Sequence, residues 1–346
     1  MNEVTERTLA TERLATHLWE AGTGEPLLAI HGNLSNGAVW REQLALLPAG
    51  VRGLAPDLRG FGASERAPVD ATRGVRDYVD DLVALLDALE LEAAHLAGHS
   101  MGAAVALQLA LDHPGRVRSI VLVAPVSPFG FGGTRADGSP CVPDHAGSGG
   151  GTANPELVRR IAEGDRGDES PLSPRNVVRG LFFPTPADVR DEELLLEGML
   201  ETAVGDDFYP GDVAGSDHWP AVAPGTRGVL NAVSPRWLDL GAFAEHGPRV
   251  PVLWVRGDRD AIVADGSAVD LGHLGATGVV PGWPGADAFP AQPMVAQTRA
   301  LLERFGAAGG TWREEVLDGT GHFPFTQRPD AFAALLHEHL RVGARA

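Results

Sequence analysis

Short apolar runs alternate with helical patterns over the first third of the chain. Four of these runs predict β-strands, at 27–30, 51–56, 93–97 and 117–124. Between them, apolar residues spaced three and four apart predict a helix over 77–91, and an Ala/Leu-rich stretch predicts another over 101–111. Such strand–helix alternation is typical of the α/β class, with a mostly parallel sheet flanked by helices.

The pattern changes between 126 and 248. Gly, Pro and polar residues dominate 127–154, and helical patterns return only at 155–163 and 191–204. The earlier rhythm then resumes, with strands predicted at 250–255 and 312–317 and helices at 294–305 and 330–342. We therefore predict one α/β core, formed by 1–125 and 249–346, that is interrupted by a mainly helical insertion at 126–248.

The strongest chemical signal is the sequence Gly98-His99-Ser100-Met101-Gly102. It fits the G-x-S-x-G pattern and lies between a predicted strand and a predicted helix, which is the context that this pattern requires. The turn is tight enough to strain the dihedral angles of the serine, and the two glycines avoid clashes with the strand and the helix. Ser100 is therefore predicted to be a nucleophile at a helix N-terminus, where N–H groups favour developing negative charge.

A serine hydroxyl needs a base, and the base needs an acid that orients it. His322 lies in a loop just after the predicted strand 312–317 and is the predicted base. Asp258 and Asp260 both follow the predicted strand 250–255, and we choose Asp260 as the acid with Asp258 as the alternative. The order Ser, Asp, His along the chain is the one expected with this serine pattern.

Two backbone N–H groups are needed to stabilise the oxyanion that forms when the serine attacks a carbonyl. Met101 directly follows the nucleophile, and its N–H is the first predicted donor. The second donor is expected from the loop after the strand 27–30, His31-Gly32-Asn33, and we assign it to the N–H of Asn33.

Taken in order, these motifs resemble those of the α/β-hydrolase superfamily. The resemblance rests on His31-Gly32, on the run 57–64 (Asp-Leu-Arg-Gly-Phe-Gly-Ala-Ser), on the serine motif, on Gly257-x-x-Asp260 and on Gly321-His322-Phe323-Pro324. It implies an α/β-hydrolase fold in which the insertion is a cap (lid) domain that shapes the substrate pocket. Branches with an aspartate nucleophile, such as haloalkane dehalogenases and epoxide hydrolases, are disfavoured because position 100 is serine.

Two features depart from the family pattern. The insertion is long, and Asp260 and His322 are 62 residues apart, a wider separation than the family leads us to expect. The additional residues, 264–293, include a Pro/Trp/Gly-rich loop. This loop is interpreted either as a second lid element or as a surface excursion or subunit contact.

Composition narrows the chemistry further. The 346 residues include no lysine, which excludes a pyridoxal-phosphate Schiff base and a catalytic lysine. The one cysteine, Cys141, excludes an intrachain disulfide and a cysteine-rich zinc site. We expect neither an organic cofactor nor a metal ion. The net charge of −18 opposes binding to nucleic acid or to an acidic membrane surface.

Half of that charge falls in the segment 126–250, which has 19 acidic residues and 10 arginines. This acidic segment is interpreted as a solvated surface, and the alternative is that its charge acts on what enters the active site.

The N-terminus lacks the basic start and apolar stretch of a signal peptide, and no run of about 18 apolar residues occurs. We therefore expect a cytoplasmic protein with no membrane contact.

The combined expectation is a serine hydrolase that cleaves a carboxylic ester or lactone through an acyl-enzyme. Aromatic residues of the insertion favour a small-to-medium hydrophobic substrate; they are Phe129, Phe131, Phe182, Phe183, Trp219 and Trp237. C–C bond hydrolysis and perhydrolysis by the same triad remain open alternatives, as does a receptor that uses the fold to bind a ligand. The oligomeric state is not predicted.

Overall fold

The computed structural model describes residues 1–343, and its first part contains the predicted strand–helix alternation. The strands of this part are β1 (Val4–Ala10), β2 (Ala15–Gly22), β3 (Glu25–Ile30), β4 (Val51–Pro56), β5 (Ala94–His99) and β6 (Val117–Val123). The helices are α1 (Arg41–Leu46), α2 (Arg76–Ala88) and α3 (Met101–Asp112). Short 3-10 turns occur at Gly37–Trp40, Ala71–Arg73 and Pro114–Arg116.

Between β6 and the next strand of the main sheet, the chain forms short elements separated by long irregular stretches. The helices are α4 (Pro155–Ala162), α5 (Pro174–Val177), α6 (Glu192–Leu200), α7 (Val229–Ala232) and α8 (Phe243–His246), with a π-helical turn at Val178–Phe182 and a 3-10 turn at Pro186–Asp188. Two small two-stranded sheets are formed by β7 (Val204–Gly205), β8 (Tyr209–Pro210), β9 (Val213–Gly215) and β10 (Val222–Pro224). Glycines with positive φ, such as Gly130, Gly132 and Gly133, explain why 127–154 forms turns and not helix.

The last part returns to the alternation of strands and helices. Its elements are β11 (Val252–Gly257), α9 (Leu271–Ala276), α10 (Met294–Ala307), β12 (Trp312–Leu317), α11 (Pro324–Gln327) and α12 (Pro329–Gly343). No helix within residues 1–343 is both long and apolar enough to span a bilayer.

The main sheet has eight strands in the order β1-β2-β4-β3-β5-β6-β11-β12. β2 pairs antiparallel with β1 and with β4, and all pairs from β4 across to β12 are parallel. The predicted α/β class is therefore confirmed. Because parallel strands all point the same way, the loops after β3, β5, β11 and β12 lie at one edge of the sheet, where α/β proteins bind ligands.

The sequence pattern does not predict the hairpin of β1 and β2. Most side chains of β1 are exposed, so the strand lacks the apolar face that produces a recognisable alternation. Its position is set instead by the backbone ladder to β2, in which Arg7 lies opposite Leu18. Pairing of this kind is a long-range property that a local pattern does not carry.

The core lies on both faces of the central strands. Ile120, Val121, Leu122 and Val123 of β6 are fully buried, as expected for a strand covered on both faces. Every residue of α3 from Met101 to Ala110 is buried, and its many Ala residues allow the helix to pack closely on the sheet. The serine motif is thus held between a buried strand and a buried helix.

A second excursion, residues 258–293 between β11 and α10, packs against the insertion through a buried amide cluster. The Gln292 amide donates to the carbonyl of Gly130 (3.0 Å) and to Oε1 of Gln297 (2.8 Å). Oε1 of Gln297 also accepts from the hydroxyl of Ser127 (2.6 Å), and the Gln297 amide lies 3.0 Å from Oγ1 of Thr134. All four side chains are buried, so this Gln292–Gln297–Thr134–Ser127 cluster joins the excursion, α10 and the start of the insertion.

Aromatic residues join the same two segments at a second point. The indole N–H of Trp219, in the insertion, donates to the carbonyl of Pro281 (2.9 Å), and its ring lies edge-on to Phe289 at a centroid distance of 5.2 Å. The Pro/Trp/Gly-rich loop is therefore packed on the insertion and is not an isolated surface excursion.

Two buried histidines lie between the sheet and the C-terminal helix. Nδ1 of His95, on β5, is 2.8 Å from the hydroxyl of Ser119 on β6. His339, on α12, lies near enough to His95 that a positive charge on one disfavours a positive charge on the other. Burial lowers the pKa of each histidine to about 4, with Arg118 adding to the effect at His95 and Arg313 at His339.

This pair predicts a loss of stability in mild acid. In the unfolded chain both histidines have pKa values near 6.5, so between pH 6.5 and 4 the unfolded state binds more protons than the folded state. The contribution of the two neutral histidines to the free energy of unfolding is therefore fully present above pH 6.5. It decreases as the pH drops, by up to about 1.4 kcal/mol per pH unit for each histidine. Urea denaturation of wild type and of His95→Gln/His339→Gln between pH 7 and 4 tests this, and the double variant should show the shallower dependence. His246→Gln, which alters an exposed histidine, is the control, and an unchanged slope in the double variant would contradict the prediction.

Candidate active site

The sharp turn between β5 and α3 presents Ser100 at the carboxyl edge of the sheet. Its backbone has φ 54° and ψ −116°, a conformation that is strained for any residue with a side chain. A Cβ on Gly98 would lie 2.3 Å from the carbonyl oxygen of Gly102, and a Cβ on Gly102 would lie 2.4 Å from that of Ile30 on β3. Both glycines are therefore required by close packing against the helix and the neighbouring strand, which is the reason expected from the sequence.

Asp260 and His322 meet at the same edge, in the loops after β11 and β12. Oδ2 of Asp260 is 2.8 Å from Nδ1 of His322, and both side chains are buried. Oδ1 of Asp260 accepts hydrogen bonds from the N–H groups of Ile262 (2.8 Å) and Val263 (3.0 Å), which fix the carboxylate. Asp258 is exposed and accepts from the N–H of Gly319 (2.6 Å). Of the two candidate acids, the structure places Asp260 against the imidazole.

The loop after β3 lies directly beside the nucleophile. A Cβ on Gly32 would be 3.0 Å from Cβ of Ser100, which is tighter than most such contacts, so a side chain there would press on the serine. Within residues 1–343, the N–H of Asn33 donates to no protein acceptor. The N–H of Met101, as the first residue of α3, has no acceptor within its helix. Both predicted donors are thus available to an oxyanion beside Ser100.

The run 57–64, one of the family-like motifs, forms hydrogen bonds with this loop and with the turn that follows it. Nε2 of His31 accepts a hydrogen bond from the N–H of Leu58 (2.9 Å), and Nδ1–H donates to the carbonyl of Gly32 (2.7 Å). Burial lowers the pKa of His31, so its ring is neutral and can both donate and accept. Asp57 accepts from the N–H of Gly37 (2.7 Å) and holds the next turn of the chain. The sequence identified this run as a motif, but it did not indicate that the run contacts and positions the His31–Asn33 loop.

Two contacts to the main chain of His322 could not be anticipated from the sequence. The N–H of His322 donates to the carbonyl of Phe182, in the insertion (3.0 Å), and the His322 carbonyl lies 2.8 Å from Nε2 of His99. His99 was visible as part of the serine motif. Phe182 had no signal beyond its aromatic character, because a backbone carbonyl contact does not depend on residue type.

The aromatic residues of the insertion divide into two groups. The Phe182 ring lies 5.0 Å from that of Phe323, the residue after the predicted base, and the Phe183 ring stacks on Phe323 at 5.9 Å. Trp219 instead contacts the second excursion, and Trp237 donates its indole N–H to the carbonyl of Gly225 within the insertion (2.8 Å). Phe182 and Phe183 are thus packed beside Phe323, which follows the predicted base.

The charged surface of the insertion is largely paired. Arg175 contacts Glu192 and Glu193, and Arg179 contacts Glu192 at 2.6 Å and Asp168 at 3.2 Å. Such partly exposed pairs contribute little to stability, about 0–1 kcal/mol each.

Two open clefts also lie in the insertion, one of about 420 Å³ beside α4 and one of about 460 Å³ around Asp144. None of Ser100, Asp260 or His322 lines either cleft.

The first third of the chain is similar in sequence to known proteins. The family described as alpha/beta hydrolase fold matches residues 25–139. The 2-hydroxymuconate semialdehyde hydrolase of Pseudomonas sp. (strain CF600) is 43% identical over 120 residues, which are 34% of this chain and 42% of that protein. An epoxide hydrolase of Caballeronia sordidicola is 40% identical over 119 residues, 34% of this chain and 36% of that protein. The matches thus span about two fifths of these curated relatives.

Solved structures match over nearly the whole chain. The 2-hydroxy-6-oxo-6-phenylhexa-2,4-dienoate hydrolase from Rhodococcus sp. strain RHA1 has a TM-score of 0.62 at 22% identity, covering 99% of this chain and 100% of that one. At this identity the likeness shows the fold alone, and the fold is the α/β-hydrolase fold that the sequence motifs predicted. The chain therefore has the α/β-hydrolase fold, and within it residues 25–139 match the alpha/beta hydrolase family.

Proposed function

We propose that this protein is a serine hydrolase that cleaves a carbonyl substrate through an acyl-enzyme formed on Ser100. The observation that carries the proposal is the buried pair of Asp260 and His322, with the carboxylate fixed by two backbone N–H groups and the imidazole at the edge where Ser100 emerges. A histidine with Nδ1–H bonded to a carboxylate exposes an unprotonated Nε2, which is the form that a general base needs.

In the proposed reaction, His322 removes the Ser100 proton as the oxygen attacks the carbonyl carbon. The N–H groups of Asn33 and Met101 stabilise the resulting oxyanion, and Asp260 stabilises the charged imidazolium. His322 then gives the proton to the leaving group, which departs and leaves an ester on Ser100. A water molecule, deprotonated by His322, hydrolyses that ester and restores the serine.

The identity of the nucleophile, a serine, also indicates which of the named relatives this chain could resemble in its reaction. Attack of a serine oxygen on an epoxide carbon would form an ether, and an ether has no carbonyl for water to attack, so the enzyme would not be regenerated. A carboxylate nucleophile forms an ester, which water can hydrolyse. The match to epoxide hydrolases therefore supports the shared fold around the nucleophile, and it does not support epoxide opening by this chain.

Among carbonyl substrates, the relatives favour a C–C bond beside a ketone over the ester or lactone expected from the sequence. Two of them are named 2-hydroxymuconate semialdehyde hydrolase and 2-hydroxy-6-oxo-2,4-heptadienoate hydrolase, the second from Pseudomonas putida and 38% identical over 116 residues, 33% of this chain and 42% of that protein. A dienoate of this type first shifts to its keto tautomer, in which the 2-hydroxyl loses a proton and C5 gains one. After Ser100 adds to the C6 ketone, the C5–C6 bond breaks and its electron pair is delocalised through the C3–C4 double bond onto the C2 carbonyl oxygen. His322 then protonates the released dienolate, as it would protonate the oxygen leaving an ester.

A matched substrate panel tests the proposal. We expect a 2-hydroxy-6-oxo-2,4-dienoate to be turned over with a higher kcat/KM than p-nitrophenyl esters and lactones of similar acyl size. The loss of dienoate absorbance and the identity of the released acid are the measurements. Turnover of esters or lactones alone would make the C–C assignment wrong while leaving the serine mechanism in place. No turnover, together with no labelling by a fluorophosphonate, would overturn the mechanism.

A further inference from the structure

His99 precedes the nucleophile, yet its side chain is directed at the base. Its Nε2 lies 2.8 Å from the carbonyl oxygen of His322, and the two rings are 4.7 Å apart between centroids. On its other side the His99 ring packs on Phe323 at 4.4 Å and Phe325 at 5.3 Å. Since a carbonyl can only accept, the His99 proton is on Nε2 and the ring donates to His322.

The remaining nitrogen of His99 has no partner among the described residues. Nδ1 is buried, and a Cβ on Gly32 would lie 3.0 Å from it. Leaving a buried acceptor unpaired costs about 1–3 kcal/mol, so the unpaired Nδ1 offsets what the hydrogen bond from Nε2 contributes to stability. What the histidine supplies, and an apolar side chain cannot, is the donor to the His322 carbonyl.

Three hydrogen bonds from different parts of the chain hold His322. Asp260 holds Nδ1 of the ring, the carbonyl of Phe182 holds the backbone N–H, and His99 holds the backbone carbonyl. Asp260 alone would allow the His322 loop to pivot about the ring. The two backbone contacts remove that freedom and so fix the position of the imidazole relative to the turn that carries Ser100.

We propose that His99 is a positioning residue for the hydrolytic reaction: its Nε2–H···O=C bond to His322 sets the imidazole at the reach of Ser100. The inference rests on the proposed function, because it assigns His322 the role of base. A displacement of about 1 Å at a reacting group can lower the rate about 100-fold, so one backbone contact is enough to matter. The link also joins the nucleophile turn and the base loop directly, since residues 99 and 100 are adjacent.

The variants His99→Gln and His99→Met test the inference as a matched pair. Both side chains have similar length, and the Gln amide places an N–H near the position of Nε2, whereas Met has no donor. We expect Gln to keep kcat near the wild-type value and Met to lower kcat about 10–100-fold with little change in KM. The rate of fluorophosphonate labelling, which needs an activated Ser100 but no specific substrate, should follow the same order.

Thermal melting separates positioning from a merely structural role. His99→Met removes the unpaired Nδ1 but leaves the His322 carbonyl without its donor, and because these two costs offset each other its melting temperature should stay close to that of the wild type while its activity falls. His99→Leu, which also lacks a donor, gives a second comparison if the Met variant does not fold. Equal kcat and labelling rates for the Gln and Met variants, or activity that falls only where the melting temperature falls, would overturn the inference. A wild type that neither labels nor turns over substrate would instead overturn the proposed function.

Discussion

Replacing Ser100 with alanine is expected to abolish labelling by a fluorophosphonate and to reduce turnover by about 10⁴- to 10⁶-fold. The reason is that Oγ of Ser100 is the atom proposed to form the covalent intermediate, and no other group can form it from that turn. The residual rate should be that of water attacking a substrate bound beside the Asn33 and Met101 N–H groups. The fold should be unaffected, because alanine fits wherever serine does.

Labelling followed by mass spectrometry of the tryptic peptides gives the result directly. The control is Ser216→Ala, which removes a partly buried hydroxyl in the insertion that bonds to Asp144 and lies outside the candidate site. It should label as the wild type does. Equal labelling of wild type and Ser100→Ala would show that the reactive nucleophile lies elsewhere.

The substitution Asp260→Asn is expected to lower kcat about 10⁴-fold while leaving the fold intact. The N–H groups of Ile262 and Val263 both point at one oxygen of residue 260, so the Asn amide must turn its own oxygen to that side. Its NH₂ group then faces Nδ1 of His322 and donates to it. The imidazole proton is forced onto Nε2, and a protonated Nε2 cannot accept the proton of Ser100.

Asp258→Asn is the matched control for this prediction. Asp258 is exposed, and the N–H of Gly319 can still donate to an Asn oxygen in its place. Its kcat should stay within about twofold of the wild-type value, as is usual for a surface change that keeps its hydrogen bond. Steady-state kinetics of both variants on the same substrate make the comparison. A large loss in Asp258→Asn, with Asp260→Asn little changed, would reverse the assignment of the acid.

The sequence predicts the strands and helices whose burial gives a regular pattern of apolar residues. The strand 51–56 and the strand 312–317 have the predicted bounds, and α3 differs from the prediction by one residue. The turn at Ser100 can also be predicted, because a side chain in place of either of its glycines would clash with the backbone. Choosing between Asp258 and Asp260 depends on which carboxylate turns inward, and the sequence offers no periodic signal for that.

What could not be predicted depends on contacts between distant residues. β1 is an exposed strand held by its partner, and the helices of the insertion are shorter than their apolar patterns suggest, with α6 ending at Leu200 where a helix to 204 was expected. The backbone carbonyl of Phe182 and the side chain of His99 meet at His322 from segments far apart in sequence. Neither contact has a local pattern, since each needs the folded chain to bring its partners together.

The buried Gln292–Gln297–Thr134–Ser127 cluster bears on how this molecule could be re-engineered. Lids of enzymes are attractive units for transplantation between scaffolds, and 126–248 alone resembles such a unit. Here the graft would carry the hydroxyls and carbonyls of 127–135 into the recipient without the Gln292 and Gln297 amides that pair with them, at about 1–3 kcal/mol for each group left buried and unpaired. A successful chimaera therefore has to carry the insertion, the 258–293 excursion and the first turn of α10 together.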